Sequence, residues 1–172
     1  YMTVLFVARM ATLLNDDRYL QESIRQFLVH LKYLTDLKTG LFFHGCNVDG
    51  CHHFGEALWG RGNAWYTAGL VDYLDLAKVP EGVRMVLLSA LERQAQALEK
   101  YQDSDGMWHT LVNLPESSYP ESSATAGFSY GLLKAVRLQY LPKRFQALGQ
   151  QGLAELRLTL GHVPVHDLLL QV

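Results

Sequence analysis

The sequence predicts an all-α fold built from helical hairpins, on three observations. Apolar residues recur at spacings of three and four along most of the chain, as they do in amphipathic helices. Two short segments of similar design, Thr39-Gly40-Leu41-Phe42-Phe43-His44 and Asp105-Gly106-Met107-Trp108-His109-Thr110, each place a turn glycine before aromatic residues. The helices that follow them also align, Trp65-Tyr66-Thr67-Ala68-Gly69-Leu70-Val71 with Gly127-Phe128-Ser129-Tyr130-Gly131-Leu132-Leu133. A unit of roughly 60 residues with two helices and a short extended piece is a helical-hairpin repeat. A ring of such hairpins needs about six to close into a barrel. The 172 residues supply slightly under three such units, about half a ring, so the chain is either an open array or half of a larger α/α barrel, a single partial domain over residues 1–172.

Each element follows from local chemistry. The run Tyr1-Met2-Thr3-Val4-Leu5-Phe6-Val7 enters a helical pattern with no cap before it, which suggests a chain cut from a longer one. Asn15-Asp16-Asp17 supplies N-cap chemistry for a helix carrying Tyr19, Leu20, Ile24, Phe27, Leu28, Leu31 and Leu34 on one face. The next helix spans Trp59 to Leu76. Another begins at Pro80, a favourable first-turn residue, and runs to Tyr101. Two more are expected at about Ser122 to Tyr140 and Pro142 to Leu160, separated because a proline pushes the preceding residue out of the helical region.

Composition narrows the function classes. With 49% hydrophobic and 19% charged residues the chain is globular in type. Fifteen basic against seventeen acidic residues leave a net charge of −2, without the basic footprint of nucleic-acid binding. The apolar runs fall well short of the roughly 20 residues of a membrane span, so neither nucleic acid nor membrane is an expected partner. No basic segment precedes the first apolar run, and a cytoplasmic location is the expectation, although Cys46 and Cys51 are compatible with thiols, a local disulfide or metal ligands.

The richest polar stretch runs from His44 to Glu56 and leads into Trp59-Gly60-Arg61-Gly62-Asn63-Ala64-Trp65. Arg61 and Trp65, four apart on a helix, share a face near the helix N-terminus with Trp59. That is chemistry for an anionic ring: a guanidinium to clamp a carboxylate, a helix N-terminus that favours negative charge, and indoles to stack on a sugar. Gly60 and Gly62 would let a ligand approach the backbone. Plainer uses compete, since Trp is mostly core and an Arg at a helix start commonly pairs with a structural carboxylate. His44 could equally be a satisfied histidine at a strand end. The His, Cys, Asp and Glu of the 44–56 stretch could hold zinc, but their spacing matches no strong zinc pattern and no metal is expected. A second cluster, Tyr119 to Ala126, opens the equivalent helix, with simple capping by Ser122 or Ser123 as its plain explanation. Its place in the repeat puts it, with His109, at the same end of the fold as Arg61.

Phe43-His44-Gly45, Trp59-Gly60-Arg61-Gly62-Asn63-Ala64-Trp65-Tyr66, Asp105-Gly106-Met107-Trp108-His109-Thr110 and Glu121-Ser122-Ser123-Ala124-Thr125-Ala126 together resemble the unsaturated glycuronyl hydrolases of glycoside hydrolase family 105 and the related family 88, in particular the unsaturated rhamnogalacturonyl hydrolases. The resemblance extends to about Tyr140. It implies an (α/α)6 barrel of roughly twice this length, with this chain as its C-terminal half. It also implies release of an unsaturated uronic acid from pectin-derived oligosaccharides: an aspartic acid protonates the C4=C5 double bond and then activates water for addition at C5, with no metal or organic cofactor. By matching position, His44, Trp59, Arg61 and Trp65 are the implied substrate-contact residues. The catalytic aspartate of the family precedes a stretch similar to Tyr1-Met2-Thr3-Val4-Leu5-Phe6, so the general acid/base is expected upstream of Tyr1. Leu153 to Val172 fits the family poorly, and Gly161-His162-Val163-Pro164-Val165-His166-Asp167 reads as an altered end. The alternative is a catalytically incomplete helical array that binds sugar or serves as a scaffold; a third reading is another six-hairpin enzyme such as a lyase or an epimerase.

Overall fold

The computed structural model describes residues 2–159. Among them are six α-helices, α1 (Met2–Leu14), α2 (Asp17–Leu34), α3 (Gly60–Leu76), α4 (Glu81–Tyr101), α5 (Ser122–Arg137) and α6 (Gln146–Thr159). Extended pairing is confined there to single bridges. Leu160 and the Gly161–Asp167 stretch lie outside the described residues.

Helix boundaries follow capping chemistry. Asn15 takes a left-handed φ of 48° to end α1, and the Asp16 carboxylate accepts the Arg18 N–H at 3.0 Å to start α2. Trp59 and Pro80 stand as the flanking residues of α3 and α4, one position outside the helices expected to include them. The fifth helix stops at Arg137, short of Tyr140, because Gln139 adopts a φ of 59° and the Tyr140 N–H turns back to Ala135 O at 2.8 Å. Leu138, Tyr140 and Leu141 continue the apolar pattern but pack as an irregular link. After Pro142 a 3-10 turn over Lys143–Phe145 precedes α6.

The helices form two layers. Helices α1, α3 and α5 lie side by side, each backed by the helix that follows it. α3 is buried on nearly every side, whereas α2 is amphipathic and buries Ser23, Ile24 and Phe27. α3 and α5 run in the same direction at close range: a Cβ added at Gly127 would meet Ala64 Cβ at 2.9 Å, and one at Gly131 would meet the Ala68 nitrogen at 3.0 Å. Their contact register is thus close to the repeat read from sequence.

The two turn glycines also do the same work in each repeat. Gly40 and Gly106 have φ of 85° and 94°, and each abuts the backbone of the next outer helix, at Arg93 and Gln151 respectively. Behind Gly106, Trp108 is fully buried, donates Nε1–H to Leu98 O at 2.9 Å and meets Phe128 edge-on at 5.3 Å. Burying one such aromatic side chain contributes about 2–3 kcal/mol. Trp108 is therefore a core anchor that fixes the strip leading into α5.

Candidate functional site

That strip aligns two helix N-termini. On one side the Gly60 N–H donates to Thr110 O at 2.7 Å and the Val112 N–H to Leu58 O at 3.0 Å. On the other, the Thr110 N–H donates to Tyr119 O at 3.0 Å and the Glu121 N–H to Trp108 O at 2.8 Å. Residues 108–112 are thus sandwiched between the lead-ins to α3 and α5, and the first turns of both helices come level. Gly60 is required here, since a Cβ would stand 2.5 Å from His109 O. Gly62 leaves room for the Trp59 ring, 3.1 Å from where its Cβ would be. Gly60 serves internal packing, which corrects the expectation that it admits a ligand to the backbone, whereas Gly62 lines the recess beside Trp65.

Asn63 performs the same alignment for the first extended segment. Its Oδ1 accepts the Phe42 N–H at 2.8 Å, and its Nδ2 donates to Phe42 O at 2.9 Å and Trp59 O at 3.0 Å. The His44 N–H, two residues on, donates to Ala57 O at 3.2 Å. The exposed His44 ring then lies edge-on to Trp59, centroids 5.9 Å apart. The Arg61 guanidinium carbon sits 5.4 Å from the other ring of the pair, Trp59, in cation–π range. His44, Trp59 and Arg61 therefore form one continuous group at the N-terminal end of α3. Trp65 stands one turn further along, 48% exposed. It lines a recess of about 80 Å³ with Val4, Phe27, His30 and Tyr66, between α1, α2 and α3.

Arg61 has a partner on the neighbouring helix. Its Nε donates to Glu121 Oε1 at 2.7 Å, and the Ser123 hydroxyl donates to the same oxygen. Ser123 thus braces this carboxylate, and neither Ser122 nor Ser123 caps α5, whose flanking residue is Glu121 itself. Among the described residues no acceptor bonds the two terminal amino groups of Arg61, and the side chain is 48% exposed. The guanidinium is tied on its Nε edge and open at its end. A carboxylate partner for Arg61 was the plainer use weighed from sequence, but its identity as Glu121 was missed, although the repeat carried a signal: Trp59 and Glu121 are equivalent flanking positions of α3 and α5.

His109 reaches this end of the fold but is already committed. Nδ1 lies 3.0 Å from Ser118 O and Nε2 2.5 Å from Asp103 Oδ2, so the ring ties the 108–112 strip to both flanks. In the loop before α3, Cys46 and Cys51 are free thiols, the His53 ring bonds Tyr33 O at 2.8 Å, and the His52 ring accepts the Phe54 N–H. Among the described residues no group of three or more His, Cys, Asp and Glu side chains gathers in metal-binding fashion. Nor is any described helix long and apolar enough to cross a membrane.

Comparison with known proteins places the chain in a family. Residues 1–161 match the model of Glycosyl Hydrolase Family 88. The chain belongs to that family. The unsaturated rhamnogalacturonyl hydrolase YesR of Bacillus subtilis is 32% identical over 149 residues, covering 86% of this chain and 43% of its own. An unsaturated 3S-rhamnoglycuronyl hydrolase of an Alteromonas species is 29% identical over 130 residues, 73% of this chain and 31% of that one. A solved structure from Salmonella enterica, described as a possible member of the GH105 family, superposes with a TM-score of 0.86 at 46% identity, covering 90% of this chain and 41% of that one. The all-α hairpin fold is that of these (α/α)6 barrels, and this family 88 chain spans less than half the length of each of these three relatives.

Proposed function

We propose that the full-length protein is a glycosidase that releases an unsaturated uronic acid from rhamnogalacturonan-type oligosaccharides derived from pectin. The observation that carries this reading is the open end of Arg61, held beside Trp59 and His44 in a family 88 chain two of whose curated relatives are an unsaturated rhamnogalacturonyl hydrolase and an unsaturated 3S-rhamnoglycuronyl hydrolase. A uronate carboxylate would accept two parallel hydrogen bonds from the terminal amino groups. The indoles of Trp59 and Trp65 would flank the sugar ring, and His44 would bond a hydroxyl at its edge. An aspartic acid outside these residues would deliver a proton to C4 and draw one from the water that adds at C5. The resulting hemiketal opens and expels the aglycone. Residues 1–172 would supply one side of the six-hairpin ring and the carboxylate and stacking contacts. The reading also includes a cytoplasmic site of action and requires no metal or organic cofactor.

Arg61→Lys in the full-length protein tests this. An ammonium keeps the charge but lacks the planar fork. Loss of a charge-assisted bond costs about 1.5–3 kcal/mol, so kcat/KM on an unsaturated disaccharide should fall by about one to two decades. Hydration removes the ultraviolet absorbance of the C4=C5 bond, which provides the assay. The melting temperature is measured alongside. Unchanged activity, or a loss explained wholly by unfolding, overturns the clamp; a wild-type protein that binds the sugar without turnover favours the sugar-binding alternative.

A further inference from the structure

We propose that Glu121 is a positioning residue that makes Arg61 selective for the ionised carboxylate of its ligand over the neutral ester. Glu121 is 6% exposed, an unusual place for a carboxylate unless it is paired. Oε1 takes both bonds, from Arg61 Nε and Ser123 Oγ, while Oε2 is buried with no hydrogen-bond partner among the described residues. Burial in that state is costly and is not repaid by local folding: Glu121 flanks α5 without capping it through its side chain. Its contact is instead with Arg61 on α3, across the two N-termini that residues 108–112 hold level.

The consequence is geometric. A free arginine side chain samples many rotamers. Here the Nε is bonded to Glu121 and the Trp59 ring lies in cation–π range, so two contacts restrain the guanidinium and leave Nη1 and Nη2, on a half-exposed side chain, without an acceptor among the described residues. A ligand carboxylate must then approach end-on, with both oxygens on those two nitrogens, whereas an ester lacks the second charged oxygen and gains little. Selectivity of this kind rests on the carboxylate-clamp reading of Arg61 above.

The test uses the full-length protein with Glu121→Gln, which keeps the shape and removes the charge, and Glu121→Leu, which removes the acceptor. Each is assayed on an unsaturated disaccharide and on its methyl ester. We expect KM for the acid to rise about threefold to tenfold in Glu121→Gln and further in Glu121→Leu, with kcat within twofold and the ester kinetics unchanged. A folded variant that loses acid and ester alike, or leaves KM for the acid unchanged, overturns the proposal. A readout that needs no substrate separates this from failure of the enzymatic reading. The Arg61 Nε–H cross-peak in a ¹⁵N–¹H spectrum, assigned by its absence in Arg61→Lys, should be visible at neutral pH in wild type and broadened by solvent exchange in Glu121→Leu. If wild type hydrates neither compound, that spectrum alone decides, and a peak unaltered in Glu121→Leu overturns the positioning role.

Discussion

Asn63 shows how much of the site depends on one buried amide. Its side chain uses one acceptor and two donor bonds to staple Phe42 and Trp59 to the first turn of α3, and its own carbonyl accepts from Thr67 Oγ1 and Gln94 Nε2. Asn63→Ala would leave the Phe42 N–H and C=O without side-chain partners in a buried place. A cost of about 2–3 kcal/mol is expected, measured as a shift in the urea midpoint of the full-length protein. Because His44 follows Phe42 by two residues, the folded fraction of this variant should also bind the unsaturated disaccharide more weakly. Asn63 was visible in the sequence only as a member of the Trp-Gly-Arg-Gly motif. Its partner Phe42 lies 21 residues earlier, a separation that no helical or strand periodicity reports.

At the scale of elements, the interface between α3 and α5 sets the relation of Arg61 to Glu121. Gly131 packs where an added Cβ would stand 2.8 Å from Thr67 Cγ2 and 3.0 Å from the α3 backbone. Gly131→Ala gains helix propensity, but overpacking against backbone costs about 1–3 kcal/mol. A lowered melting temperature is the expected outcome, and a raised one would show that the helices separate without penalty. Towards the other end of the same interface, Lys134 bonds Asp72 at 2.9 Å and Asp75 at 3.0 Å, and the Tyr130 hydroxyl donates to Asp72 at 2.6 Å. Burial disfavours the Lys134 charge, yet the two carboxylates more than offset it and push its pKa up. Burial, reinforced by the Asp72 hydrogen bond and charge, pushes the Tyr130 phenol up to about 12 from the usual 10. Raised folded-state affinity for a proton gives stability that is fully present below about pH 10 and lost as pH rises towards 12. Thermal melts of wild type and Tyr130→Phe across that window should therefore converge as pH rises. A gap that widens instead would contradict the assignment.

For the whole molecule, α1 presents two apolar faces. Val4 and Ala8 are buried towards the other helices, while Phe6 and Leu13, one heptad apart, are 62% and 77% exposed and Leu14 is half exposed. A stripe of this kind on the edge helix of the α1–α3–α5 layer favours association. An isolated polypeptide of residues 1–172 is expected to self-associate in sedimentation velocity and to melt broadly by circular dichroism. A sharp cooperative melt of a monomer would show that the described core suffices alone.

The sequence by itself determined the hairpin architecture, the level at which the two repeats match, and the motif around Arg61. These are legible because helix periodicity, turn glycines and repeat spacing are local signals, each carried by residues within a few turns of one another. Even so, the left-handed Gln139 that ends α5 at Arg137 was hidden, since a non-glycine stop interrupts no apolar pattern. Only the tertiary structure decided what the motif residues touch. It assigned Gly60 to internal packing, committed His109 to Asp103 and Ser118, and paired Arg61 with a carboxylate 60 positions away. The reason is physical: a side chain's partner depends on which backbone segments approach it, and here that approach is set by the strip between α3 and α5, whose hydrogen bonds join residues that no local spacing brings together.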